Sequence, residues 1–458
     1  MYSCYPASEK WHTLIHVCRR WRNLVFTSPR HLNLQLLCEP PKRSVEEMLY
    51  IWPELPIYIQ DFDHPTKKAG DIVTAALKLN HRVTRIRLER TSGSKWETFA
   101  PLMEHPFPVL TYLWVQPFFP IENTISRSFL GGSAPSLQHL VLIGVPFLAL
   151  PELLLSTTSL VRLWYDDIPR SGYILPQAMA TGLSALTRLE SLSLTFPSPR
   201  SLQDRPIRIT HTHTRILFPA LSYLRFRGSV EYMEDLVTQI DAPSLESMMI
   251  TLFHQGASEV SQLSKFVRCA DKLSLLDRAE VVFRSSCISV TLSQDLLVGR
   301  VDPKTLMLYL WCSESDLRLS YLAQFCLSCL PTLSHFEFLH IHAPLHYTWQ
   351  HFIGIDDEDS QWLQLLRHFN AVKHLHLSKH VASRVSQALR GLSTGRVMEL
   401  LPALKAIFIS DLARSGDVME AISDFADTRQ LSGHPVSIYD WQGVVHYVGK
   451  QGNGLGGL

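Results

Sequence analysis

One recurring phrase limits what this 458-residue chain can fold into more than any other feature: an apolar anchor, two variable residues, an apolar residue, one variable residue, and another apolar residue. It reads FPVLTYLWV (Phe107–Val115), APSLQHLVL (Ala134–Leu142), TTSLVRLWY (Thr157–Tyr165) and LTRLESLSL (Leu186–Leu194). It returns as FPALSYLRF (Phe218–Phe226), APSLESMMI (Ala242–Ile250), LPTLSHFEF (Leu330–Phe338), AVKHLHL (Ala371–Leu377) and LPALKAIFI (Leu401–Ile409). The anchors are Leu110, Leu137, Leu160, Leu189, Leu221, Leu245, Leu333, Val372 and Leu404. Most gaps run from 23 residues (Leu137 to Leu160) to 32 (Leu189 to Leu221). The wide interval from Leu245 to Leu333 leaves room for degenerate copies near Val281 and Leu306.

Side chains on a strand alternate between faces, so each phrase predicts a short strand with its Leu residues turned inward. One such unit cannot bury its own apolar side, whereas stacked units share a continuous core. EYMEDLVTQI (Glu231–Ile240) and SQWLQLLRHF (Ser360–Phe369) place apolar residues at three- and four-residue spacing and predict helical return segments. The expected fold class is α/β: an irregular leucine-rich-repeat solenoid with a parallel concave sheet and a convex side of mixed helix and loop. Its expected limits are 53–445, after a helical segment at 1–52 and before a flexible Gly-rich tail at 446–458.

Hydrophobic content of 46% against 19% charged describes a folded chain, not a disordered one. With 43 Lys+Arg against 42 Asp+Glu there is no long-range positive field for a nucleic-acid backbone. The start lacks a basic segment followed by an apolar core, and no apolar run is long enough to span a bilayer. Eight scattered cysteines suit reduced thiols, and no Asn-x-Ser/Thr acceptor occurs. The expected location is cytoplasmic, nuclear or both, with neither a nucleic-acid nor a membrane partner.

In LIHVCRRWRNLVFTSPRHLNL (Leu14–Leu34), Leu14, Val17, Cys18, Trp21, Leu24 and Val25 share one helical stripe, and Pro29 ends the element. Ser44 and Glu47 form a capping-box pattern before MLYIW, which Pro53 terminates. The V-C-R-x-W-R core followed by S-P and an aliphatic run resembles the second half of an F-box. WHTLIHVCRRWRNLVFTSPRHLNLQL, FLGGSAPSLQHL (Phe129–Leu140), IPRSGYILPQAM (Ile168–Met179), LTRLESLSLTFPSPRS (Leu186–Ser201) and EYMEDLVTQIDAPSLESM (Glu231–Met248) together are similar to a large family of F-box proteins from mushroom-forming fungi. FLALPELLL (Phe147–Leu155) and AVKHLHLSK (Ala371–Lys379) extend the likeness, which runs from Trp11 to about Trp441.

That resemblance implies a non-enzymatic substrate-recognition subunit of a Skp–cullin–F-box ubiquitin ligase. It implies docking of the Skp-type adaptor, and through it a cullin, by Leu14, Val17, Cys18, Trp21 and Pro29, with a target protein held on the repeat surface. An F-box opens with a Leu-Pro-x-Glu-type segment and a first helix. Only ten residues precede Trp11, so the box is expected to be truncated. The apolar stripe has a second reading as the cap of the repeat array. The chain then has an alternative function as a free-standing repeat scaffold that recruits no ligase.

The sequence holds no HExxH and no P-loop, and GNGLGG (Gly452–Gly457) has no helix after it to receive a phosphate. His211/His213, His340/His342 and His374/His376 are each two apart and could chelate from one strand face. A Glu337/His374/His376 patch is conceivable, but solvated polar positions are the expectation, with no metal and no cofactor. Cys326-Leu-Ser-Cys329 has no second pair at zinc-ribbon spacing and reads as core thiols, and the DDED run (Asp356–Asp359) lacks the EF-hand pattern. PSPRSLQDRPIRITHTHTR (Pro197–Arg215) reads as an exposed loop. The expected partner contacts on the concave surface are Trp114, Arg162, Trp164, Arg225, Glu337, His374 and His376, because aromatics and Arg anchor interfaces.

Overall fold

The computed structural model describes residues 17–27, 36–38, 55–62, 67–197, 215–253, 260–284, 287–294, 305–311, 335–343, 358–390, 397–410 and 416–440. Leu14, Pro29, the capping box at Ser44, the Cys326/Cys329 pair, the 198–214 insert and the tail from 446 lie outside the described residues. The chain forms two units: Met1–Pro197 with Thr210–Leu221, and Ser198–Ile209 with Ser222–Leu458. Both are mixed α/β. Among the described residues no helix is long and apolar enough to cross a membrane.

The first unit opens with α1 (Arg19–Thr27) and β1 (Leu36–Cys38), followed by β2 (Ile57–Phe62), α2 (Lys67–Leu77), β3 (Val83–Thr91) and α3 (Gly93–Phe99). It continues through β4 (Tyr112–Pro117), β5 (His139–Ile143), α4 (Leu150–Ser156), β6 (Arg162–Asp166), α5 (Pro176–Leu183), β7 (Ser191–Thr195) and the short β8 (Ile216–Leu217). Strands β1 to β7 pair in chain order and every pair is parallel.

The recurring phrase builds the same local device each time. The anchor amide donates to the carbonyl three residues back: Leu110 to Phe107 (3.2 Å), Leu137 to Ala134 (3.1 Å), Leu160 to Thr157 (3.0 Å) and Leu189 to Leu186 (3.2 Å). In Phe-Pro-Val-Leu and Ala-Pro-Ser-Leu the proline takes the second position of that β-turn, where its fixed φ is already correct. This is why proline recurs ahead of the anchors. The residue after the anchor then donates to the previous repeat, as Thr111 does to Thr84 (2.8 Å) and Val161 to Gln138 (2.8 Å), and so sets the strand's register.

Strands begin two residues past these anchors, and alternate side chains are buried: Leu113 and Val115 on β4, Leu163 and Tyr165 on β6, all fully inaccessible. Each fully buried Leu contributes roughly 1.5–3 kcal/mol. Tyr112, Trp114, Arg162 and Trp164 occupy the opposite, half-exposed face.

The second unit contains β9 (Tyr223–Ser229), α6 (Val230–Val237), β10 (Ile240–Asp241), β11 (Ser247–Phe253), α7 (Ser261–Arg268), β12 (Arg278–Phe283), β13 (Cys287–Ser293) and β14 (Thr305–Trp311). It ends with β15 (Phe338–His342), α8 (Glu358–Leu366), β16 (His374–Leu377), α9 (Lys379–Arg390), β17 (Ala406–Ile409), α10 (Gly416–Leu431) and β18 (Ser437–Asp440). Its sheet order is β9-β11-β14-β13-β12-β15-β16-β17-β18. Val281 and Leu306 lie buried in strands β12 and β14.

Two features depart from the expected all-parallel array. Strand β13 runs antiparallel to both β12 and β14. The Arg284 amide donates to the Cys287 carbonyl at 2.9 Å, closing a short hairpin, and so short a connection can only return the chain antiparallel. The other departure is a shift of register. β15 starts at Phe338, five residues after Leu333 instead of two, and the fully buried Phe336 stands at the anchor's spacing. Leu339 and Ile341 therefore point into the core, and Phe338, His340 and His342 take the open face.

Candidate functional site

The open strand face of the first unit carries two aligned rows. Tyr58, Arg85, Tyr112, His139, Arg162 and Ser191 are register partners from β2 to β7, as are Gln60, Arg87, Trp114, Val141, Trp164 and Ser193. Parallel pairing keeps one register through both rows, with bulges only at Ile57/Tyr58 and Glu89/Thr91, and so places like positions of successive repeats side by side.

Arginines and rings interleave along it. The Arg85 guanidinium lies over Tyr58 (5.4 Å) and Tyr112 (5.0 Å), Arg87 over Trp114 (5.5 Å) and Arg162 over Trp164 (5.3 Å). Trp114 and Trp164 meet edge to face at 6.1 Å. Arg87 is also ion-paired to Glu89 at 2.6 Å, and the Trp164 indole N–H donates to Ser191 Oγ at 3.1 Å. The Trp114 indole N–H and Arg162 Nε find no hydrogen-bond partner among the described residues. Burial raises the phenol pKa of Tyr58 and Tyr112, which stay neutral. Burial, then the charges of Arg162 and Arg85, push the His139 imidazole below its ordinary value. The face thus offers fixed cationic and aromatic groups, held by one another and requiring little ordering when they meet a partner.

Three of the expected partner contacts, Trp114, Arg162 and Trp164, come together here. Arg225 is exposed on β9 of the second unit, beside Met249 of β11. There Arg227 lies over Phe253 (5.3 Å), which meets the exposed Trp311 at 6.2 Å.

Further along the second unit's sheet, Glu280, His340, His376, Phe408 and Tyr439 are register partners across β12, β15, β16, β17 and β18. His376 stacks on Phe408 at 4.3 Å and Phe408 on Tyr439 at 5.0 Å. His374 stacks on Phe338 at 4.8 Å, and the Arg278 guanidinium lies over the same Phe338 ring at 4.1 Å. The shifted start of β15 corrects the expected Glu337/His374/His376 patch. Glu337 precedes the strand and pairs with Lys373, while His374 faces Phe338 and His376 faces His340.

His342 Nε2 lies 2.9 Å from Glu280 Oε1, and His340 Nδ1 lies 3.9 Å from the same oxygen. Burial would raise the Glu280 carboxyl, but the hydrogen bond and charge of His342, with His340 and Arg284, carry it below the usual carboxylate range. Burial and then His342 push His340 down to about 4, and burial, His374 and Arg278 do the same for His376. Sequence reasoning missed Glu280. It sits in RAEVVF, and only strand pairing brings it beside histidines some sixty positions later.

At the N-terminal end, Val17 (64%), Trp21 (45%) and Leu24 (50%) are exposed, and so is Cys18.

No family model matches the chain, and no curated protein matches it. Among solved structures it is similar to the leucine-rich repeat-containing protein LegL7 from Legionella pneumophila, at 13% identity and a TM-score of 0.26. That match covers 87% of this chain and 97% of the other.

Proposed function

We propose that the chain is an irregular leucine-rich-repeat scaffold that binds a protein partner on its open strand face and catalyses no reaction itself. The observation that carries this reading is the double row of arginines and aromatic rings on β2 to β7. Trp, Tyr and Arg dominate interface energetics, and truncating a central anchor costs about 2 kcal/mol or more. The rings and guanidinium groups hold one another in place, so binding loses little side-chain entropy.

The finer reading is a substrate-recognition subunit of a Skp–cullin–F-box ubiquitin ligase, supported by the V-C-R-x-W-R resemblance and by the exposed apolar residues Val17, Trp21 and Leu24. On this reading Val17, Cys18 and Trp21 meet the adaptor, and the arginine-aromatic rows meet the target. The second reading, a scaffold that recruits no ligase, keeps the rows and assigns the stripe to capping.

Co-elution of the full chain with a purified Skp-type adaptor separates the two. The ligase reading expects a complex that Trp21→Ala weakens and Trp114→Ala/Trp164→Ala leaves intact. Absence of a complex leaves the free-standing scaffold. For the scaffold itself, quantitative affinity capture compares the wild type with a folded Arg87→Ala/Trp114→Ala/Trp164→Ala variant. An identical set of bound proteins would overturn the reading.

A further inference from the structure

We propose that Glu280, His340 and His342 bind one divalent transition-metal ion of the zinc type. The proposal goes beyond the scaffold reading and does not depend on it. Strands β12 and β15 run parallel with Glu280 opposite His340 and Val282 opposite His342. Because the side-chain period is two, both imidazoles and the carboxylate emerge on one face of the sheet. One ligand atom from each of the three residues lies within 4.8 Å of the others. His342 Nε2 and His340 Nδ1 stand 2.9 and 3.9 Å from Glu280 Oε1.

Bonds from zinc to nitrogen or oxygen of about 2.0–2.2 Å separate tetrahedral ligands by roughly 3.3–3.6 Å. The two observed distances bracket that value, so small rotations about the side-chain torsions bring the donors onto one ion. Two imidazoles and one carboxylate suit zinc and its first-row neighbours, whereas calcium and magnesium favour oxygen throughout. Three protein donors leave at least one coordination position for water or for a partner's side chain. His376, the register partner of His340, has its ring 5.9 Å away. It lies outside the three-residue cluster.

The competing account is a plain hydrogen-bonded pair of Glu280 and His342, in which His340 is a bystander. The two accounts differ in what zinc does. The full-length chain is treated with chelator, desalted and titrated with zinc alone, with calorimetry and elemental analysis as readouts. The proposal expects one ion per chain bound well above the background of the chain's 21 histidines. Glu280→Gln and His342→Ala each weaken that ion by more than the 10- to 100-fold typical of losing an outer-shell partner. His374→Ala, on the same face but outside the cluster, leaves it unchanged.

Equal zinc binding by the wild type and His342→Ala overturns the proposal, as does an equal loss in His374→Ala. Should a variant fail to fold by circular dichroism, cobalt added to the wild type decides the matter. Strong visible absorption from a low-coordinate ion supports the site, and the weak spectrum of hydrated cobalt sinks it.

Discussion

The Tyr165 hydroxyl donates to the Gly172 carbonyl at 3.0 Å while accepting the Phe147 amide at 2.9 Å. Tyr165 is fully buried on β6, and burial raises its phenol pKa, so it remains a neutral donor. Gly172 has to lack a side chain. A Cβ there would lie 2.6 Å from Pro146 Cα and 2.7 Å from the Tyr165 oxygen. One tyrosine thus ties together two connecting segments that have no strand ladder to hold them.

Tyr165→Phe leaves a buried N–H unpaired and is expected to cost about 1–3 kcal/mol. Hydrogen exchange reads it as faster exchange at Phe147, with β2 and β3 unaffected. Gly172→Ala is expected to be worse, because backbone must move to admit it. Unchanged protection of Phe147 in Tyr165→Phe would refute the account.

Asp61 on β2 is inaccessible to solvent, and Lys95 on α3 reaches it at 2.9 Å. Lys95→Met strands a buried carboxylate and is expected to cost about 3–5 kcal/mol, whereas the double variant Asp61→Leu/Lys95→Met recovers most of that loss. A double-mutant cycle on thermal unfolding measures the coupling. Additive losses would show that the pair does not act as a unit.

His139 faces Arg85 of β3, Tyr112 of β4 and Arg162 of β6, with Glu190 contributing an opposing charge, and its net pKa is lowered from 6.5. The unfolded chain therefore binds the proton more readily than the folded one. Its stabilising contribution is full above about pH 6.5 and is lost as the pH falls through that value toward the folded pKa. Between about pH 7.5 and pH 5.5 the wild type should lose more thermal stability than His139→Gln. Parallel curves for the two proteins would exclude His139 as a source of acid sensitivity.

The anchors were legible because each carries its own physics: a β-turn, often primed by proline, followed by two inward residues, as at Leu110, Leu137, Leu160 and Leu245. Trp114, Arg162 and Trp164 were legible for the same reason, since strand alternation alone puts them on one face. The LPTLSHFEF phrase offered both Leu333 and Phe336 as anchors, and local pattern cannot choose between residues three apart. That choice decided whether Glu337 or the pair His340/His342 would reach the open face. Strand β13 escaped notice because CISVTLS, although Ile288, Val290 and Leu292 alternate with Ser289, Thr291 and Ser293, lacks the anchor and turn that mark the recurring phrase. Glu280 could not be placed beside the histidines without knowing that β12 and β15 are neighbours.

Arg429, near the end of α10, is fully buried, and its guanidinium donates to the carbonyls of Leu400 (3.1 Å), Leu401 (3.2 Å) and Pro402 (3.0 Å). These carbonyls belong to the turn before β17, where Leu401 has φ of 49°, a left-handed conformation that costs a non-glycine residue about 1–3 kcal/mol. The Leu404 amide closes the same turn on the Leu401 carbonyl at 2.9 Å. Burial lowers the Arg429 pKa, and the three carbonyls replace the water that the cation has lost. A lysine keeps the charge but presents it at a point and cannot span three carbonyls as a planar fork does. Arg429→Lys is therefore expected to lose about 1.5–3 kcal/mol, the worth of a hydrogen bond to a charged group, and Arg429→Met more. The readout is the Leu404 amide: its hydrogen exchange should accelerate in both variants, and more in the methionine variant, as the strained turn relaxes. If Leu404 stays as protected as in the wild type, Leu401 holds its conformation without Arg429, and the guanidinium's role is confined to filling space.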